Sequence, residues 1–239
     1  MSSGPVGYDF GGTVEGEVSR LFGDGAKRYD EARSRLVPHL NDFYGLAIDV
    51  AVRGHGPAPR VLDLGAGTGL FSGELALPLP NATVDLVDSS AAMLAVADQM
   101  LDLYAVERTI YEQDLRAPLP QGPYDIVISA LAIHHLPHPD QRDIYRRVRE
   151  VMRPGGVFVN AEQVAGGTPA LDALYEETWH REVVALGASP REIDEAVKRM
   201  AYDLPAPVAT HLSWLTEAGF SQVDCLYKRY RFAVVAGWV

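Results

Sequence analysis

The sequence predicts an α/β fold: a doubly wound, mostly parallel sheet with helices on both faces. Three observations carry that prediction. From residue 61 onward, short apolar runs alternate with helix-period runs, the pattern of a parallel sheet covered on two sides. The first apolar run ends in a glycine-rich turn, GAGTG at 65–69. Two helical stretches, one ahead of the first strand and one after the fifth, break the alternation. They suggest a lid over the carboxyl ends of the strands, the edge at which open α/β sheets bind ligands.

The elements follow in order. Residues 25–36 and 38–52 read as helices. Residues 61–64 form the first strand and 84–87 the second, ending at Asp88. A helix over 89–104 is capped by Ser89 or Ser90 and places Met93, Leu94, Ala97, Met100, Leu101 and Tyr104 on one face. Strands are expected at 109–112, 125–129 and 157–160. Between the last two, Ile144, Tyr145, Val148, Val151 and Met152 mark an amphipathic helix stopped by RPGG at 153–156. Thr168-Pro169 opens the next helix, with Gly187 as its stop, and Ser189 to Glu192 has capping-box spacing. A helix ending at Gly219 precedes a hairpin over 220–227 and 230–236, turning at Lys228-Arg229. The count is seven strands. One domain of 239 residues is expected, divided into a loose tail (1–24), a helical cap (25–53), a core (60–161), a helical lid (162–211) and a last helix with hairpin (212–239).

Composition excludes several function classes. Hydrophobic residues are 47% and charged residues 22%, values of a globular rather than a disordered chain. The 21 Lys and Arg against 32 Asp and Glu leave a net charge of −11, which disfavours non-specific binding to a phosphate backbone. No run nears the roughly 18–20 apolar residues of a membrane span. The single cysteine, Cys225, rules out an internal disulfide and a multi-cysteine zinc site, and its alternating apolar neighbours suggest a buried core thiol. The first residues lack the basic start and apolar stretch of a signal peptide, so cytoplasm is the default address.

Chemistry is concentrated at the strand ends. Glycines at 65, 67 and 69 allow turns with positive φ and close approach of a ligand, but no lysine follows as a Walker loop requires. Asp88, about twenty residues further on, is placed to accept hydrogen bonds from ribose hydroxyls. Asp114-Leu115 follows the third strand. Together VLDLGAGTG (61–69), VDLVDSS (84–90), EQDL (112–115), YDIVISALAIHHL (124–136) and RPGG (153–156) resemble, in order and spacing, the class I S-adenosylmethionine (SAM) dependent methyltransferases. The resemblance covers residues 60–161 and implies a Rossmann-like sheet with a reversed last strand and SAM as cofactor. It implies that Asp63, Gly65, Ala66 and Gly67 face the methionine part and that Asp88 holds the ribose. Ser89 and Met93 then border the adenosine, Asp114 and Leu115 hold the adenine, and Ser129 lies beneath the sulfonium. The residues after strand four are not the Asn-Pro-Pro-Tyr or Asp-Pro-Pro-Tyr of DNA amino-methylating enzymes, and they match the small-molecule branch. The run AKRYDEARSRLVPHLNDFY (26–44) resembles the cap of that branch. It implies that Tyr29 and Arg33, on one helix face, close over the methionine end, Tyr29 beside the reacting centre and Arg33 pairing with the carboxylate.

His134, His135 and His138 form the most conspicuous cluster. Two adjacent histidines cannot both face one site on an α-helix, and no Cys or acidic partner stands at metal-ligand spacing, so no metal is expected. His134 is the candidate general base. Substrate-facing candidates are Glu162, Tyr175, Trp179, His180 and Arg199, with core packing as the alternative for Trp179. The stretch SPREIDEAVKRMAYDLPAPVATHLSWLTEAGF (189–220) resembles carboxy-SAM synthases, which implies an Arg near Lys198-Arg199 that binds a carboxylate on the cofactor. The expected activity is methyl transfer to a small molecule. The alternatives are a SAM-consuming enzyme that makes carboxy-SAM or cyclises SAM to azetidine-2-carboxylate, and a SAM-binding protein without catalysis. A lid-exchanged homodimer is compatible with the sequence.

Overall fold

The computed structural model describes residues 32–239. Helix α1 (Leu40–Val52) leads into β1 (Arg60–Leu64), followed by α2 (Leu70–Ala76), β2 (Thr83–Asp88), α3 (Ala91–Leu103), β3 (Glu107–Glu112) and β4 (Tyr124–Ala130). A 3-10 turn (Ile133–His135) precedes α4 (His138–Val151) and β5 (Met152–Gln163). Helices α5 (Pro169–Ala185), α6 (Pro190–Met200) and α7 (Val208–Glu217) separate β5 from the closing strands β6 (Gln222–Arg229) and β7 (Phe232–Trp238).

The seven strands form one sheet in the order β3-β2-β1-β4-β5-β7-β6. All neighbours run parallel except at β7, which is antiparallel to both β5 and β6. This is the α/β class that the alternation predicts, with the last strand reversed. The central strands lack a polar face because each face is covered. On one side Val61, Val84, Ile126, Val157 and Val234 pack with α1, α2 and α3. On the other, Leu62, Val127, Phe158 and Val235 pack with Ile144, Tyr145 and Val148 of α4 and Leu215 of α7. Each such aliphatic side chain contributes about 1.5–3 kcal/mol on full burial. The strand order reverses between β1 and β4, so the chain leaves these two strands in opposite directions and opens a crevice at their carboxyl ends.

Several boundaries differ from expectation for visible reasons. The cap of α3 is one of the two serines expected, Ser90, its Oγ accepting from the Met93 N–H at 3.3 Å. RPGG at 153–156 does end α4, but it does so as extended chain already within β5, with a register shift opposite Tyr124/Ile126. The hairpin turns at Tyr230-Arg231, two residues later than Lys228-Arg229, with Tyr230 at φ 47°. Helix α2, directly after the glycine turn, has no counterpart in the sequence reading. Cys225 is half-buried on the edge strand β6 rather than a core thiol. The capping box of α6 is present, with both Ser189 and Glu192 engaged. The tail 1–24, Tyr29 and the start of the cap lie outside the described residues. No helix among the described residues is long and apolar enough to cross a membrane.

Candidate active site

The crevice is built from the ends of β1, β2, β4 and β5. Gly65, at φ 73°, hydrogen-bonds through its N–H to the Val87 carbonyl at 2.8 Å, which ties the glycine turn to β2. A Cβ at Gly65 would lie 2.2 Å from the Cβ of Ala132, so only glycine permits the β1 turn to pass under the chain leaving β4. At Gly67 an added Cβ would meet nothing closer than the Gly65 carbonyl oxygen at 4.0 Å. The turn therefore presents bare backbone to open space, a surface that a ligand can approach closely.

Acidic groups line this edge. Asp63 is 1% exposed, and its Oδ2 accepts from Ser72 Oγ at 2.6 Å. Burial pushes its pKa up to about 7, against the Ser72 hydrogen bond, and the charge of Asp88 adds to the rise. Arg33, from the helical turn ahead of α1, favours the ionised form of Asp63 and opposes a charge on His134, so its guanidinium is felt at both. At the tip of β2, Asp88 accepts from the Gly67 N–H at 2.9 Å and from the Ser90 N–H at 2.8 Å. Each oxygen accepts one backbone bond and keeps a further lone pair. Ser89 is exposed and Met93 half-buried in the first turn of α3.

Other expected residues are engaged within the protein. Asp114 forms a fork with Arg116, accepting from its Nε at 2.9 Å and Nη2 at 2.6 Å, which depresses its pKa to about 2. Arg147 of α4 donates to the Leu115 and Ala117 carbonyls at 2.8 Å each and so holds this loop, with Leu115 next to Gly65. Ser129 is buried, its hydroxyl donating to the Leu64 carbonyl at 2.8 Å. Trp179 is 3% exposed and donates from Nε1 to the Leu36 carbonyl at 2.9 Å, a packing position that latches α5 to the segment ahead of α1. Tyr175 accepts from Lys228 at 3.2 Å and stacks edge-on against Tyr230. His180 and Arg199 are exposed on α5 and α6.

The densest polar cluster surrounds His134. Its imidazole is 3% exposed, and Nδ1 bonds to Glu162 Oε1. Glu162 is fully buried on β5, and its Oε2 also accepts from the His134 backbone N–H at 3.2 Å. Burial alone would disfavour both charges. The mutual attraction outweighs it, raising the pKa of His134 and lowering that of Glu162. Behind the pair, Asn160 donates to the Tyr145 hydroxyl at 3.0 Å, and that hydroxyl bonds to His211 Nδ1 at 2.7 Å. Burial holds His211 neutral, with its pKa depressed to about 4.

The 3-10 turn overturns the argument that adjacent histidines cannot share a site. It brings the rings of His134 and His135 to 4.1 Å between centroids, and both reach Asp203. The three residues offer ligand atoms within 4.8 Å of one another, the one group among the described residues able to hold a metal ion. Asp203, Ser72, Asn160 and Arg147 were not marked by sequence. Each is an ordinary polar residue whose partner sits on a different element, nine residues away for Ser72 and more for the others, and no spacing signals the contact.

An acid-tipped parallel-sheet edge with a bare glycine turn and a buried histidine–carboxylate pair defines an enzyme that works on a nucleotide-type cofactor. Residues 61–156 match the family model of the methyltransferase domain. The carboxy-S-adenosyl-L-methionine synthase of Trichlorobacter lovleyi is 27% identical over 80% of this chain and 82% of its own length. The malonyl-[acyl-carrier protein] O-methyltransferase 2 of Ilyobacter polytropus is 26% identical over 60% of this chain and 52% of its own. Among solved structures, an O-methyltransferase family protein from Burkholderia thailandensis shares the fold with a TM-score of 0.63 at 18% identity, covering 92% of this chain and 61% of that one. This chain thus spans about three fifths of that longer protein. The methyltransferase-domain match over residues 61–156, the relatives and the shared fold support the class I SAM-dependent methyltransferase family, with SAM as the cofactor.

Proposed function

We propose that this protein transfers the methyl group of SAM to an oxygen or acidic carbon of a small molecule, with His134 as general base. The observation that carries the reading is the His134–Glu162 pair. It sits two residues beyond the Ala132–Gly65 contact, at the edge where the glycine turn opens.

The residues present fit the cofactor. Bare backbone at Gly67 and the spare acceptor capacity of Asp88 suit a ribose, and Arg33 beside buried Asp63 suits an amino-acid carboxylate and ammonium. When bound, SAM supplies an electrophilic methyl group, so the protein's task is placement and proton removal. Alignment of reacting groups accounts for roughly 7–11 kcal/mol of barrier lowering. Glu162 fixes the ring of His134, sets Nδ1 as the proton-bearing nitrogen and leaves Nε2 to face an acceptor. An acceptor proton moves to Nε2, and the imidazolium formed is stabilised by the adjacent carboxylate. Tyr29, Tyr175 and Arg199 remain candidates for the cofactor and acceptor ends. A small-molecule acceptor and action in the cytoplasm are part of the same proposal.

One observation favours a second reading. The first six curated relatives are all named carboxy-S-adenosyl-L-methionine synthase, at 22–28% identity over 72–92% of this chain. In that reading the insertion re-tasks SAM as a substrate. Incubation with methyl-labelled SAM separates the two. Label appearing on an added acceptor supports transfer. A carboxylated SAM formed with a carboxylate donor such as prephenate, or methylthioadenosine from SAM alone, refutes it.

A further inference from the structure

Three donor groups converge at the end of the 3-10 turn. Asp203, between α6 and α7, places Oδ1 2.9 Å from His135 Nδ1 and Oδ2 3.6 Å from His134 Nε2. The three residues offer ligand atoms within 4.8 Å of one another. A tetrahedral ion with bonds of about 2.0–2.2 Å to nitrogen and oxygen sets its donors about 3.3–3.6 Å apart, so the cluster has the span of one coordination shell. At 3.6 Å the contact between Asp203 and Nε2 is too long for a hydrogen bond, and Nε2 keeps its lone pair for another partner. The donors are supported from behind. Nδ1 of His134 bonds to Glu162, which fixes the ring and leaves Nε2 as its free nitrogen, and Gln163 donates to Asp203 Oδ2 at 3.1 Å. The segment carrying Asp203 is pinned to the core. The Leu204 N–H donates to the His134 carbonyl at 2.8 Å, and Gln141 donates to the Leu204 carbonyl at 2.7 Å. The side chains of His134 and Asp203 are 4% and 5% exposed, against 59% for His135. The cluster therefore has a buried floor and one donor at the surface, which gives an ion its way in.

We propose that His134, His135 and Asp203 form a binding site for a divalent transition-metal ion such as zinc. Two imidazoles and one carboxylate suit such ions, whereas Mg2+ and Ca2+ take oxygen ligands. His134 ligates through Nε2, His135 through Nδ1 and Asp203 through a carboxylate oxygen, and the fourth position stays open. Two carboxylates match the charge of the ion, Asp203 as a ligand and Glu162 through the ring of His134. Arg33 and Arg231 act against it, the first on His134 and the second on Asp203. The site goes beyond the transfer reading and does not rest on it. It bears on that reading in one respect. A metal on Nε2 takes the lone pair that would accept the acceptor's proton, so metal binding and proton removal at His134 exclude one another.

The test is calorimetric titration of Zn2+ into the whole protein, stripped with EDTA and dialysed, for wild type, His135→Ala and Asp203→Asn. A group hydrogen-bonded behind a ligand is worth about 10–100-fold in metal affinity, so loss of a ligand itself should weaken binding at least about tenfold. Wild type should bind one ion and each variant should show that loss. Nitrogen-15 NMR of the histidine rings should place the zinc-induced shifts at His134 Nε2 and His135 Nδ1. No binding of Zn2+, shifts at neither nitrogen, or an affinity unchanged in either folded variant (an adventitious surface ion only) overturns the proposal. Circular dichroism and melting confirm folding. His135→Ala removes a mostly exposed side chain and keeps the test decisive should Asp203→Asn fold poorly. Once an acceptor is found, saturating Zn2+ should slow transfer at least about tenfold, and EDTA should restore it. Ligation of Nε2 seen by NMR with no effect on transfer leaves the metal site standing and refutes His134 as the base.

Discussion

At the scale of single residues, Asp63 and Asp88 look alike in sequence and differ in physics. Asp63 is buried with a pKa near 7, above its unfolded value of 3.8, so folding favours its protonated form. The stability from that form is complete below the unfolded pKa and is lost as pH rises through the folded one. Asp63→Asn keeps the Ser72 hydrogen bond and cannot ionise. It should match wild type below pH 4 and exceed it by up to about 4 kcal/mol above pH 7, measured by urea unfolding at both ends. A variant that loses stability at pH 8 would mean that the carboxylate is held ionised by Arg33. Asp88, by contrast, keeps spare acceptor capacity at the crevice. Asp88→Ala should weaken SAM binding at least about tenfold by calorimetry, the loss of one or two charge-assisted bonds. An unchanged affinity would remove Asp88 from the ribose contact.

At the scale of elements, the turn after β1 is held by a steric requirement. Gly65 combines a left-handed φ with the 2.2 Å clash that any Cβ would make with Ala132. Gly65→Ala should therefore displace the chain after β4, which carries His134, and reduce transfer far more than overall melting temperature. The measurement is activity beside a melting curve, and equal losses would mark the turn as merely structural. Much of this layer was legible because it is local. Strand alternation, the glycine turn, the Ser189 capping box and the Thr168-Pro169 start are written within a few residues of where they act. The hairpin turn was not, because Tyr230 takes a left-handed conformation without the Gly or Asn that advertises one. The carboxylates told the same story. Glu162 follows the expected strand 157–160 and lies within β5, so its place is legible, whereas Asp203 meets His134 only through the docking of its segment, and no periodicity encodes that contact. Trp179 was ambiguous in sequence because an aromatic on a helix face packs more often than it binds. Its hydrogen bond to Leu36 is what decides for packing.

At the scale of the whole molecule, the insertion and the segment ahead of α1 are tied to each other as well as to the sheet. Trp179 bonds to the Leu36 carbonyl, and Arg35 pairs with Glu192 of α6. Arg33, two residues from Arg35, acts on Asp63 through its charge. A ligand gripped by Arg33 must therefore steady the insertion as well as the crevice, because the two latches transmit the ordering. A ligand at 100 times its dissociation constant stabilises the folded state by about 2.7 kcal/mol, and for a chain of this size each kcal/mol raises the melting temperature by about 2–4 °C. SAM or its demethylated product should thus raise the melting temperature by roughly 5–10 °C. Hydrogen exchange should slow in α5 and α6 as well as in the glycine turn. Protection confined to the ends of β1 and β2 would show that Arg33 does not hold the ligand. No thermal shift with either compound, alongside a clear one with another nucleotide, would refute the cofactor itself.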